Sequence, residues 1–265
     1  MSNEASVGRS SEGAAVQSVD RAVTVLEILA REREAGVTEI AVELGVHKST
    51  AFRLISVLEQ RGLVEQNVDR GKYRLGVGIL RLAGATAGRL EVTEQSRPVT
   101  SELALEVGET VNIALLSGPD ALYVDQVAGT SAMQTRNWVG QRIPLHATSN
   151  GKALLAHLST ADRAALLAGP LEKFTRRTIT SVRKLEAELA EVRRLGYAST
   201  AEELEEGLVA VAAPIRDMAG DVVASVSVSG PVYRFPKERV PELGVTVRAA
   251  ADEISRRMGW TGGER

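Results

Sequence analysis

Lys48, Ser49, Thr50 and Arg53 fall in a stretch, HKSTAFRLISVLEQRG, that holds no carboxylate before Glu59. An ammonium, two hydroxyls and a guanidinium suit nucleic-acid binding. Lysine and hydroxyl groups hold phosphate oxygens, and an arginine fork matches O6 and N7 of guanine. On a helix stepping ~100° per residue, Ser49, Arg53, Ser56 and Gln60 share a window of roughly 60°. Ala51, Leu54, Ile55 and Leu58 fall on the opposite side. Lys48 and Thr50 flank the polar stripe at the helix N-terminus, where backbone N–H groups and the dipole favour a phosphate. Lys48, Ser49, Thr50, Phe52 and Arg53 are therefore candidate DNA contacts, with Arg53 the candidate for a base edge. The competing reading is a solvated polar face. A second set lies near the C-terminus, in VVASVSVSG. In a strand there, Ser225, Ser227 and Ser229 share one face while Ala224, Val226 and Val228 share the other. Such a hydroxyl row either meets water or lines a cavity for a small polar ligand.

The elements around the first set read as a helix-turn-helix. A helix from Ser18 to about Glu34 carries Ala22, Val25, Leu26 and Leu29 at helical spacing, and a second runs from Thr38 to Gly45. The third, from about His47 to Gln60, would enter the major groove. Two strands, 62–67 and 72–75, around the turn Val68-Asp69-Arg70-Gly71 make a hairpin wing carrying Arg70, Lys72 and Arg74. Residues 18–75 hold nine Lys/Arg against nine Asp/Glu, so a DNA contact must be local rather than a property of the domain's net charge. The acids Glu27, Glu32, Glu34, Glu39 and Glu43 sit in the first two helices, expected to lie away from the DNA face.

Beyond residue 77 a mostly helical run reaches about Val107, with Pro98 expected at a helix boundary. Strands follow at 111–116 and 121–127 about the turn Gly118-Pro119-Asp120, then short helices around 149–158 and 160–169 and a longer one from Val182 to Gly196. Strands at 208–215 and 222–229 and a closing helix at 236–258 complete the chain. The cysteine-free composition removes thiol nucleophiles and thiolate metal sites, and His146 and His157, of only three histidines, read as structural. Neither a Gly-rich phosphate loop nor a paired-carboxylate motif stands out. No apolar run approaches the ~18 residues that span a bilayer, and the polar N-terminus predicts a cytoplasmic protein.

The order VQSVDRAVTVLEIL, TEIAVELGVHKSTAFRLISVLEQRGLVEQ and GKYRLG resembles the winged helix-turn-helix of IclR-type bacterial transcription regulators. The similarity continues through ETVNIALL, YVDQV, VGQRIPLHATSNGKALLAHL and SVSVSGP. Residues 1–17, rich in Ser, Gly and Ala, read by composition as a disordered arm, and the resemblance implies an α+β chain with a winged helix-turn-helix domain at 18–76 and a linker helix at 77–94. A GAF/PAS-like antiparallel sheet domain with flanking helices follows at 95–258, and a tail at 259–265. It implies an effector site in which Ser149, Asn150 and Gly151 match the helix-opening loop and Ser227 and Ser229 match paired serines. Thr200 and Ala210 stand where the family often has an aspartate and a cysteine. The expected pocket is thus neutral and polar.

The resulting expectation is a regulator, not an enzyme, that needs no metal or cofactor. A small polar metabolite, such as an organic acid, controls its operator affinity. The resemblance implies a homodimer or dimer of dimers on double-stranded operator DNA, with no membrane partner. Repression of a catabolic operon is preferred. Activation of such an operon, or a small-molecule enzyme with an interaction module, stands as the alternative.

Overall fold

The structure is a computed structural model that describes residues 8–67, 71–84, 87–130 and 137–262. The chain forms two compact units that divide between Ala87 and Gly88.

The N-terminal unit starts with α1 (Gly8–Glu32). Its helix begins well before Ser18, the expected cap, and residues 1–7 of the expected arm lie outside the described residues. Next come α2 (Val37–Glu43) and α3 (Lys48–Gln60). The α2 cap is Gly36 rather than Thr38, because the Glu39 carboxylate reaches back 2.7 Å to accept from the Gly36 N–H. Strands β1 (Val64–Asn67) and β2 (Lys72–Leu75) pair antiparallel with Val64 opposite Leu75 and Asn67 opposite Lys72. Ala35 extends this hairpin by exchanging two main-chain hydrogen bonds with Tyr73. The core is the predicted aliphatic one. Val25, Ile28 and Leu29 meet Ile40 and Ala41, the Ala51–Ile55–Leu58 face of α3, and Val64 and Tyr73 from the hairpin.

After α4 (Gly78–Gly84), helix α5 (Ala87–Val107) runs straight through Pro98, which therefore marks no boundary. Pro98 costs the helix one N–H, and the packing of Val92, Val99, Leu103 and Ala104 into the second core compensates. That core lies on a six-stranded antiparallel sheet in the order β5-β4-β3-β8-β7-β6. The strands are β3 (Thr110–Ser117), β4 (Asp120–Val127), β5 (Arg142–Pro144), β6 (Ala198–Ala201), β7 (Leu208–Arg216) and β8 (Val222–Pro231). Helices α5 and α9 (Val240–Arg257) cover one face, where Ala224, Val226 and Val228 are buried. The other face packs against α6 (Ser149–Leu155) and α8 (Val182–Leu195), with α7 (Thr160–Leu166) between them in sequence. Strand β6 is short and made of small residues, so its sequence carries no alternating signal.

In the serine row of β8, Ser225 and Ser227 are buried and Ser229 is half-buried. Helix α6 lies over them, and every one of its residues is buried. Asn150 donates to the Ser225 hydroxyl at 2.9 Å and ties the helix to the sheet. Lys152, fully buried, donates to Glu188 of α8 at 2.5 Å and to both Glu203 oxygens at 2.7 and 2.8 Å. Burial raises the Glu203 carboxyl above its usual range, and Lys152 pulls it back. Removing one partner of such a network leaves an uncompensated buried charge.

Lys152→Met is accordingly expected to destabilise the second unit by about 3 kcal/mol. Urea unfolding followed by tryptophan fluorescence measures this, because Trp138 and Trp260 both lie in that unit. Without its cation, Glu203 should take up a proton in the folded state that the unfolded state releases. The deficit should then grow as pH rises above the ordinary carboxylate range, because the raised folded-state carboxyl holds its proton where the unfolded one has lost it. A deficit that is flat with pH would contradict this account.

Candidate functional site

In the N-terminal unit, α3 presents Lys48, Ser49 and Arg53 to solvent, and Phe52 is 52% exposed beside them. Thr50 and Ser56 are half-buried at the edges of the stripe. The helix has no acid in its first turn and no side-chain cap. Its first N–H groups therefore stay open to an anion. Among the described residues, neither Lys48 nor Arg53 pairs with a carboxylate.

The wing is less free than its sequence suggests. Arg74 faces Glu65 across the hairpin and donates to it at 2.6 Å, and Lys72 lies 3.7 Å from Glu39. Glu39 is thus not remote from the basic wing, contrary to expectation, because the hairpin folds back toward the start of α2. Exposed pairs of this kind contribute at most about 1 kcal/mol, so they remain exchangeable. Arg70 lies outside the described residues.

In the second unit a cavity of about 110 Å³ opens between the sheet and the start of α6. Of the expected ligand residues, Ser149, Thr200, Ala210 and Ser229 line it. Asn150, Gly151 and Ser227 do not. The Asn150 amide is used on Ser225, because α6 lies flat on the sheet. Gly151 is where the helix touches the preceding chain: a Cβ there would lie 2.3 Å from the Leu145 carbonyl oxygen. Ser227 sits one register step behind the wall, directly opposite Asn112 on β3.

Sequence reasoning missed Asn112, Tyr123, Trp138, Ile143, Thr148 and Leu204, which also line the cavity. Asn112 was findable, since it stands one strand over from the serine row and breaks the apolar run of β3. Tyr123 and Trp138 form an edge-to-face pair with centroids 6.4 Å apart. Burial pushes the Tyr123 phenol above its usual range. The wall is therefore mixed, apolar and aromatic on one side and polar on the other, rather than uniformly polar. Among the described residues no Lys, Arg or His lines it, and one carboxylate, that of Glu205, does. Asn112 Oδ1 and Ser149 Oγ are buried without a hydrogen-bond partner among the described residues, as are Ser227 Oγ and Asn150 Oδ1 just behind. Buried polar atoms are ordinarily satisfied, so a ligand oxygen or N–H would find partners here.

Thr148 caps α6: its hydroxyl accepts from the Gly151 N–H at 3.1 Å and donates to the Pro144 carbonyl at 2.8 Å. The histidines are used locally. A ring nitrogen of His146 pairs with the Glu172 carbonyl at 2.8 Å, and one of His157 with the Ala153 carbonyl at 3.0 Å. Among the described residues no helix is long and apolar enough to cross a membrane.

Comparison with known proteins agrees with both units. The family model described as "IclR helix-turn-helix domain" matches residues 18–68, and "Bacterial transcriptional regulator IclR C-terminal" matches 84–256. The HTH-type transcriptional regulator XynR of Escherichia coli (strain K12) is 31% identical over 92% of this chain and 98% of its own length. The HTH-type transcriptional repressor AllR of the same strain is 33% identical over 92% and 90%. The crystal structure of the Thermotoga maritima IclR superposes with a TM-score of 0.75 at 29% identity, covering 92% of this chain and 100% of that one. An IclR homolog of Microbacterium hydrocarbonoxydans, complexed with 4-hydroxybenzoate, gives 0.79 at 28% identity, covering 91% and 98%.

Gly151→Ala separates a packing glycine from a ligand residue. We expect a loss of stability on the order of 3 kcal/mol, seen as a lower thermal midpoint with no ligand present. An unshifted midpoint would show that the α6–Leu145 contact is not a close one.

Proposed function

The chain belongs to the IclR family, a family of DNA-binding transcription regulators rather than enzymes, and on that basis we propose that α3 reads an operator under the control of a small metabolite bound in the C-terminal cavity. One observation carries the DNA half: the exposed stripe of α3 holds Lys48 and Arg53 without a carboxylate partner among the described residues. Arg53 contacts a base edge. Lys48, Ser49 and Thr50 hold the phosphate backbone, with Phe52 packed beside them. Arg70, Lys72 and Arg74 of the wing lie along the flanking phosphates, and Arg74 and Lys72 exchange their weak carboxylate partners for DNA.

The cavity favours a small organic acid or a polar metabolite of similar size. Its ring or chain lies against Tyr123 and Trp138, and its oxygens meet Asn112, Ser149, Thr200 and Ser229. With no cation among the described lining residues and the Glu205 carboxylate in the wall, the ligand's polar end is held by N–H and O–H groups on the side of Asn112 and Ser149. The relative crystallised with 4-hydroxybenzoate supports a ligand of this kind. The protein acts as a repressor of a catabolic operon that the ligand releases, a reading the repressor AllR supports. Coupling requires the ligand to bind one quaternary or domain arrangement better than the other. A homodimer, or a dimer of dimers, supplies the arrangement and the two half-sites. Val77, Leu80 and Leu82, exposed by 74%, 72% and 54%, offer an apolar face at and before α4 for a second copy to cover.

Binding to the DNA upstream of the chain's own gene, measured by fluorescence anisotropy, tests the reading. Arg53→Ala should cost about 1–3 kcal/mol on the operator and little on unrelated DNA, whereas Lys48→Ala should weaken both and lower the salt slope by about 1. Undiminished operator preference in Arg53→Ala would overturn the role of α3. Thermal-shift screening of organic acids should yield a ligand whose stabilisation falls about tenfold in apparent affinity with Ser149→Ala or Asn112→Ala. If both variants respond like the parent protein, the ligand binds elsewhere.

A further inference from the structure

A second opening in the C-terminal unit shares no residue with the cavity just described. It is a cleft of about 740 Å³ bounded by the ends of α8 and β7, the β7–β8 turn, α9 and the segment that follows it. Arg193, Arg216 and Arg248 line it together with His157 and Trp260, and among the described residues Asp252 is its single carboxylate.

Each arginine is held by one bond to a main-chain carbonyl. Arg193 Nη1 donates to Ala156 O at 2.9 Å, Arg216 Nη1 to Gly220 O at 2.8 Å and Arg248 Nη1 to Leu195 O at 3.2 Å. Among the described residues none of the three pairs with a carboxylate, although the surrounding helices are rich in such pairs at Glu191 and Glu253. A guanidinium carries five N–H donors in a rigid fork, so an anchor at one nitrogen orients the remainder without using it up. The Arg216 guanidinium also lies 5.9 Å from the Trp260 ring centroid. The stem of Arg248 crosses Gly196 so closely that a Cβ there would lie 2.8 Å from it. The local field is positive. His157 is driven below its usual range first by burial, and Arg216 and Arg193 push it further in the same direction.

Three oriented cations against one carboxylate form an anion site, and we propose that this cleft binds a small dianion, a phosphate monoester or a dicarboxylate, as a ligand distinct from the one in the cavity. Two of the arginine forks would take one charged end of the dianion, since bidentate geometry suits carboxylate and phosphate alike.

The two tryptophans allow a direct test, because Trp138 lines the cavity and Trp260 lines the cleft. In the full chain carrying Trp138→Phe, Trp260 fluorescence is titrated with inorganic phosphate, succinate and acetate at constant ionic strength. Saturable change with phosphate, with succinate or with both supports the site, and the stronger of the two identifies the source of the dianion. The double variant Arg193→Gln with Arg248→Gln, both exposed positions, should weaken binding at least about tenfold. Asp252→Asn should tighten it several-fold, a gain that misfolding cannot mimic. The proposal is overturned if acetate matches the dianions, if no titration saturates, or if the double variant binds like its parent.

Discussion

The ammonium of Lys152 is the constraint on which the second unit turns. A charge in an aliphatic interior is tolerable only when it is paired and hydrogen-bonded. Lys152 meets that condition by reaching Glu188 on α8 and Glu203 in the loop after β6. The same side chain therefore fixes α6 against α8 and holds the loop that supplies Leu204 to the cavity wall. Hydrophobic contacts alone would leave α6 free to slide by a residue. The ionic network, with the Asn150–Ser225 bond beneath it, gives the helix one registry.

That registry decides which polar groups face the cavity and which serve the fold. Asn150 and Gly151 look like ligand residues in a loop that opens a helix. With α6 pressed on the sheet, one amide is used on Ser225 and the glycine admits the Leu145 backbone. Ser149, at the first turn and facing the sheet opening, is left to the cavity. The sheet also divides cleanly: the aliphatic face of β8 packs under α5 and α9, while its hydroxyl face lies under α6, where Ser225 is bonded and Ser227 backs the wall.

The winged unit works by subtraction. Its charges sum to zero, yet ion pairing is unevenly spread. Arg31 pairs with Glu32 and Glu43, Arg74 with Glu65, and Lys72 approaches Glu39. Among the described residues Lys48 and Arg53 of α3 have no carboxylate partner, and neither do Arg21, Arg33 and Arg61 outside that helix. A local positive stripe on a neutral domain suits sequence reading, since it limits the nonspecific attraction that a uniformly basic surface would give.

The sequence by itself determined the elements and their faces. The apolar faces of α3 and β8, the hairpin register implied by its turn, and the winged-domain and sheet-domain order were legible because helix and strand periods are local properties. So was the lack of a local acid for Lys48 and Arg53, since none lies within a helical turn of either. Tertiary structure alone decided the cavity wall, the buried Lys152 and the arginine cleft. Asn150 meets Ser225 across 75 residues and Lys152 meets Glu203 across 51. The arginines of the cleft come from α8, β7 and α9. No local period encodes those meetings. They follow from how the sheet orders its strands and from the need to pair every charge that the packing buries.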